Sequence, residues 1–157
     1  MRCTAAGTQT EQMRKAPALT FAAVAVAAMT GLSGCALADF AKNERESAFA
    51  TTTVLAETWG KSAPWLPEDA TDITTVEATN AANAVLLAAS ESELDPGLCS
   101  EVDRLSGPVY DRDWTPNGYA ADRVWACGDW TVIAADGGWY GWTPGHPDEK
   151  AQSPAAK

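Results

Sequence analysis

Histidine is all but missing: the 157 residues contain one, His146. A Ser-His-Asp or Cys-His nucleophile needs an imidazole held in place by a third group. His146 instead stands in Gly-His-Pro within a proline-rich end segment, which predicts a solvated tail residue. Positive charge is scarce too, with 11 Lys and Arg against 21 Asp and Glu and a formal net charge of −10. Affinity for nucleic acid comes largely from cations that neutralise phosphates, so this balance excludes a nucleic-acid partner. It equally excludes adhesion to anionic lipid by charge. There is no Gly-rich phosphate loop, no H-E-x-x-H and no G-x-S-x-G, so no cofactor and no enzyme class is indicated. Among so many acids a facing carboxylate pair of the glycosidase kind is always available, and availability is not a motif. C-x-x-C spacing is lacking, which removes the usual redox and zinc sites. No apolar run reaches the about 20 residues of a membrane-spanning helix, and no internal repeat is visible.

What the chain does have begins at its N-terminus. Arg2, Arg14 and Lys15 precede a short apolar run from Ala16 to Met29, and Leu32-Ser33-Gly34-Cys35 follows. Positive start, apolar run and small residues before a cysteine come in the order of an export signal. The segment resembles the signal peptide and lipobox of bacterial lipoprotein precursors, matching the box at every position. That resemblance implies a diacylglyceryl group on the Cys35 thiol and a cut between Gly34 and Cys35. Residues 1–34 are then the signal peptide and 35–47 a lipidated tether. The location implied is extracytoplasmic, on the cell envelope, with the membrane as partner through two acyl chains. Met13 is an alternative start, because residues 13–35 retain every part of the signal. After removal of the signal, eight basic residues face twenty acidic ones, a net charge of −12 that keeps an exported protein soluble.

With Cys3 lost in the signal and Cys35 lipidated, Cys99 and Cys127 remain as a pair in an oxidising compartment, which predicts a disulfide. It closes a loop of about 28 residues, worth roughly 2–4 kcal/mol.

Residues 48–142 are expected to form one α+β domain, and 143–157 a flexible Pro-rich tail. Phe49, Leu55, Ala56 and Trp59 suit a helix over 48–59, although the β-branched run at 51–54 opposes it. Residues 72–79 and 84–89 read as a hairpin turned at Asn80 and Asn83, in competition with an alanine-rich helix over 77–89. The main helix is expected from Asp95, which can cap it with Pro96 at its first position. Leu98, Val102 and Leu105 give that helix an apolar face, and Gly107-Pro108 ends it. Strands 123–127, 130–135 and 138–142 form a meander through Gly128-Asp129 and Asp136-Gly137. The expected sum is an antiparallel sheet of about five strands with the Asp95 helix packed on one face, fastened by the disulfide.

Oxygen-bearing side chains at Asp111, Asp113, Thr115, Asn117 and Asp122 have something of a calcium loop's spacing. Pro116 stands where the loop needs glycine and Asp122 where it needs a bidentate Glu, so a polar turn without metal is expected.

Two-residue turns fix the faces of the meander. Trp125, Cys127, Trp130, Val132 and Trp139 share one face, which the disulfide makes the core. Val124, Ala126, Thr131, Ile133, Tyr140 and Trp142 share the other. An apolar second face is either covered, with residues 48–65 as the expected cover, or used, with Tyr140, Trp142 and Ile133 as a ligand platform. The function expected is a non-catalytic binding or interaction module of the envelope, for a cell-wall component, a cationic molecule or another exported protein. The alternatives are an inhibitor of an extracellular hydrolase and, after it, a hydrolase using paired carboxylates.

Overall fold

The computed structural model describes residues 43–156. The signal segment, the lipobox and Cys35 lie outside the described residues. Seven strands form one sheet with every neighbouring pair antiparallel. They are β1 (Glu44–Thr51), β2 (Thr71–Ala78), β3 (Ala84–Ala89), β4 (Ser100–Asp103), β5 (Arg123–Cys127), β6 (Trp130–Ala135) and β7 (Gly138–Thr143). Their order across the sheet is β1-β2-β3-β7-β6-β5-β4.

The meander follows from its turns. Gly128 and Gly137 take positive φ of 66° and 69°, conformations glycine adopts without a Cβ penalty. Cys127 is thereby set opposite Trp130, Trp125 opposite Val132, Ala134 opposite Trp139 and Ile133 opposite Tyr140. β2 and β3 form the hairpin, and β3 then pairs with β7, with Val85 beside Trp142 and Leu87 beside Tyr140. The competing helix over 77–89 does not form, because Val85 and Leu87 serve one face of the sheet and Ala84, Leu86 and Ala88 the other. Period two gives the side chains of the run a packed face on each side, with only Leu87 and Ala89 partly open.

Several expectations are corrected. The helix from Asp95 stops after a single turn: Asp95 accepts the amide of Gly97 on its side chain and those of Leu98 and Cys99 on its carbonyl. Cys99 is then disulfide-bonded to Cys127, and residues from Ser100 pair with β5 as an edge strand. Of the supposed apolar stripe only Val102 is core on that strand, and Leu105 is half exposed. Among the described residues there is therefore no main helix, and the sheet has seven strands where about five were expected. The helix expected over 48–59 begins only at Thr52. Its first residues belong to β1, and Thr51 caps α1 (Thr52–Thr58) by accepting the Val54 amide. The tether does not run to residue 47, because Glu44–Ser47 are paired with β2. Nor are residues 147–156 frayed: α2 (Pro147–Lys150) buries Glu149 completely, and Ser153 is buried with its hydroxyl on the Leu98 carbonyl.

Both faces of the sheet are packed. On the first, Ile73, Leu86, Trp130, Val132 and the disulfide meet α1 and the strap that follows it, through Leu55, Trp59 and Trp65. Trp59 and Trp65 lie 6.1 and 5.8 Å from the Trp130 ring, centroid to centroid, and Trp130 donates its indole N–H to the Ser62 carbonyl. Gly141 is obligatory beneath this cluster, since a Cβ there would stand 2.6 Å from the Trp65 ring. Of the expected cover 48–65, residues 48–51 belong to β1 itself, and 52–65 lie on the face opposite to the one expected. Leu55 and Trp59 are buried there against Trp130, Val132 and the disulfide. On the second face, Val76, Val85, Val124, Ile133, Tyr140 and Trp142 are roofed by the irregular segment 104–121, through Tyr110, Trp114 and Ala121.

Candidate functional site

Ile133, Tyr140 and Trp142 do share the second face, but they are not a platform. Tyr140 and Trp142 are 0% and 1% exposed and Ile133 is 6% exposed. The segment 104–121 covers them, because so much contiguous apolar surface is stable only when removed from water. What the surface presents is therefore the outer side of this roof.

Two attachments hold the roof. At the β1 side, Arg112 pairs with Glu44 at 2.6 Å, and the Trp114 indole donates to Glu46 at 2.9 Å. At the other end the Glu149 carboxylate, fully buried, accepts the amides of Leu105, Ser106 and His146 and the hydroxyls of Ser106 and Thr131. Burial alone would raise this carboxyl. The donors from Ser106, Thr131, Leu105 and His146 outweigh it and hold the carboxyl below its ordinary value. Gly118 closes the centre, where a Cβ would come 2.8 Å from Pro108 and 3.2 Å from the Trp142 ring. One anchor holds the start of the segment and the other its middle, and a hollow is lined by residues 108–111 between them and 115–119 beyond them.

That hollow has a volume of about 400 Å³. Pro108, Val109 and Tyr110 line it together with Pro116, Gly118 and Tyr119. Its polar groups are Asp111, Thr115 and Asn117. Asn117 accepts the Tyr119 amide on its side-chain oxygen at 3.0 Å, which leaves its NH₂ unused in this turn. Thr115 accepts the Arg112 amide and donates to the Arg112 carbonyl. Both are turn-capping roles. Asp111 has a contact of only 3.5 Å, from the Thr115 hydroxyl, at the long limit of a hydrogen bond. The Tyr140 hydroxyl lies under this corner, close to Asp111, Thr115 and Tyr119, buried and without a well-formed hydrogen bond of its own. Burial pushes this phenol above its ordinary value, and the Asp111 charge adds to the shift. Tyr119 is 59% exposed at the rim, its hydroxyl on the Pro108 carbonyl. Arg104 lies over the Tyr119 ring at 5.6 Å and Arg112 over the Tyr110 ring at 5.7 Å.

Of the other residues singled out by sequence, Cys99 and Cys127 are joined as a disulfide. His146 is the N-cap of α2 and accepts the Asp148 amide, a local structural duty. Among the described residues no three His, Cys, Asp or Glu side chains gather as metal ligands, and no helix is long and apolar enough to cross a membrane. No family model, curated protein or solved structure matches the chain. Sequence reasoning missed Tyr110, Tyr119 and Glu149. The signal available for the tyrosines was two aromatics set in a turn-rich stretch, a position that local core packing does not explain. For Glu149 it was His146-Pro147-Asp148-Glu149, a capping pattern with an acid at the third helical position.

Proposed function

We propose that the chain is an extracytoplasmic, lipid-anchored, non-catalytic binding module of the cell envelope, with its contact surface on the roof segment 104–121. Support for the anchor is the ordered series of positive residues, apolar run and Leu32-Ser33-Gly34-Cys35. The observation that carries the contact surface is where large apolar side chains stay in water. Among the described residues these are Val54, Leu105, Val109 and Tyr119, and three of the four lie on this one segment beside the hollow. Apolar groups clustered around a concavity with a few polar side chains are the ordinary form of a ligand site. Asp111 is the only acid lining the hollow, which speaks against a hydrolase of paired carboxylates there, since that chemistry needs two facing carboxyl groups.

The test is co-sedimentation of the detergent-solubilised full chain with delipidated envelope material from its own source. The wild type is expected in the pellet. The double variant Val109→Ser, Tyr119→Ser should stay in the supernatant with an unchanged melting temperature. Equal pelleting of both proteins overturns the assignment of this surface.

A further inference from the structure

We infer that β1 is a dimer edge: it pairs antiparallel with β1 of a second copy of this chain across a twofold axis at Ser47, joining the two sheets into one. The inference concerns the rim of the sheet and is independent of the surface assigned to the roof.

The register of β1 on β2 shows which backbone groups are available. The Thr79 amide donates to the Asn43 carbonyl and the Thr75 hydroxyl to the Ser47 carbonyl, so the odd-numbered residues of β1 aim their backbone groups at β2. By antiparallel alternation, Glu44, Glu46, Ala48 and Ala50 turn theirs outward. Among the described residues β2 is the only strand beside β1, which leaves those groups to water or a partner. The usual guards against a further strand are missing. β1 has no Pro, Gly or Lys, and Ser47 to Thr51 carry no charge, with Ala48 and Ala50 exposed. Its three charges are engaged within the chain, Arg45 with Glu77, Glu44 with Arg112 and Glu46 with the Trp114 indole. The opposite rim is guarded. β4 has only four residues, and the Arg123 guanidinium donates to the Glu101 carbonyl on its outward side. With one open rim, an isologous pair closes as a dimer and does not grow into a fibre.

The sequence of the strand selects its own copy as the occupant. An antiparallel partner must set outward residues against outward residues, which leaves few registers. With the axis at Ser47, Glu44 faces Ala50 of the second copy, Arg45 faces Phe49 and Glu46 faces Ala48. All four outward residues are then paired and no charge meets its like. The Arg45 side chain is 57% exposed and shares its face with Phe49, whose ring is only partly buried, so each guanidinium has an aromatic ring of the other copy beside it. An axis at Glu46 sets that carboxylate against itself, and an axis at Ala48 leaves Glu44 without a partner in the strand. Net charge works the other way, since each copy carries −10. Salt shortens the reach of that repulsion to about 8 Å at physiological strength. Pairing therefore tightens as salt rises, opposite to an association driven by ion pairs.

The test is oxidative cross-linking of the full chain in intact producing cells, read on a non-reducing gel. Ser47→Cys should give a disulfide-linked dimer, because the axis places residue 47 opposite itself in a pair without backbone hydrogen bonds, about 4.5 Å between Cα atoms. Ala50→Cys should give none. Six residues at about 3.4 Å separate it from its own copy, roughly 20 Å in all. Adding Ala48→Pro to Ser47→Cys should abolish the product with an unchanged melting temperature, since the proline removes an outward N–H that β2 does not use. Ala48→Glu reads the same contact without touching the backbone: it sets like charge against Glu46 and should weaken dimerisation at least tenfold. In sedimentation equilibrium of the detergent-solubilised wild type, dimer affinity should rise several-fold between about 0.05 and about 0.5 M NaCl. No dimer from Ser47→Cys, or as much from Ala50→Cys, overturns the inference. So does cross-linking to a foreign protein alone, which gives the edge to another strand. So does a monomer whose Glu46 and Ala48 amides resist hydrogen exchange, which gives it to residues 36–42 of the same chain.

Discussion

The Thr131 hydroxyl donates to the Glu149 carboxylate at 2.7 Å, in a place where both residues are fully buried. One belongs to the middle of the sheet and the other to a four-residue helix near the end of the chain. Between them passes the start of the roof, whose Leu105 and Ser106 amides share the same carboxylate. The charge thus fastens together three segments distant in sequence, and it does so only while it is ionised.

The pH dependence follows from that. The folded-state carboxyl lies below its ordinary value of 4.5. The stabilisation is therefore complete above the unfolded carboxyl's titration and is lost as pH falls through the folded one. Glu149→Gln puts an amide among donors and should cost roughly 1–3 kcal/mol at neutral pH. Urea unfolding at pH 7 and pH 3.5 checks both points. The wild type should lose more stability on acidification than Glu149→Gln, and parallel losses would assign the acid sensitivity to other carboxylates.

Tyr140 and Trp142 should behave as core. Each replaced by Ala is expected to cost about 3–5 kcal/mol, the range for removing a large buried aromatic. Tyr119→Ala, on the exposed rim, should stay within about 1 kcal/mol of wild type, the cost of one surface contact with the Pro108 carbonyl. Thermal unfolding of the three variants separates buried face from contact surface. Equal losses for Tyr119→Ala and Tyr140→Ala would mean that the hollow is a structural seam.

The meander and its faces were legible because a two-residue turn leaves no freedom of register, and Gly128 and Gly137 each mark one. Asp95-Pro96 was misleading for a physical reason. The same cap opens a single turn and a long helix, and only the pairing of Ser100 with Ala126, distant in sequence, decides between them. β1 was hidden because an edge strand beside the solvent tolerates charge, and the consecutive Glu44, Arg45 and Glu46 at its start read as tether. The roof was the hardest to see. It has almost no regular structure and is held by Glu44, Glu46 and Glu149, whose roles exist only once the sheet has brought them near.

The disulfide joins the residue before β4 to the last residue of β5. β4 is a four-residue edge strand with one neighbour, so the covalent link holds the least secured part of the sheet. Cys99→Ala with Cys127→Ala should lower stability by about 2–4 kcal/mol. Amide hydrogen exchange should speed up first at Glu101 and Asp103, and uniform acceleration across the sheet would show that the bond stabilises the domain only globally.

The last prediction concerns the anchor. Cys35 precedes Glu44, the first residue of β1, by nine positions. At no more than about 3.3–3.6 Å per residue, a lipid on Cys35 would hold the sheet within roughly 30 Å of the bilayer. Two acyl chains make such attachment durable where one would not, and the acidic domain adds no attraction of its own to anionic lipid. Membrane association should therefore depend on the thiol alone. Cys35→Ala should abolish metabolic labelling by a fatty-acid analogue and either leave the precursor uncleaved or release the protein from washed membranes. The domain's melting temperature should not change, because the sheet begins at Glu44. Labelling of Cys35→Ala equal to that of the wild type would overturn the anchor, and so would membrane retention of a cleaved Cys35→Ala chain after a high-salt wash.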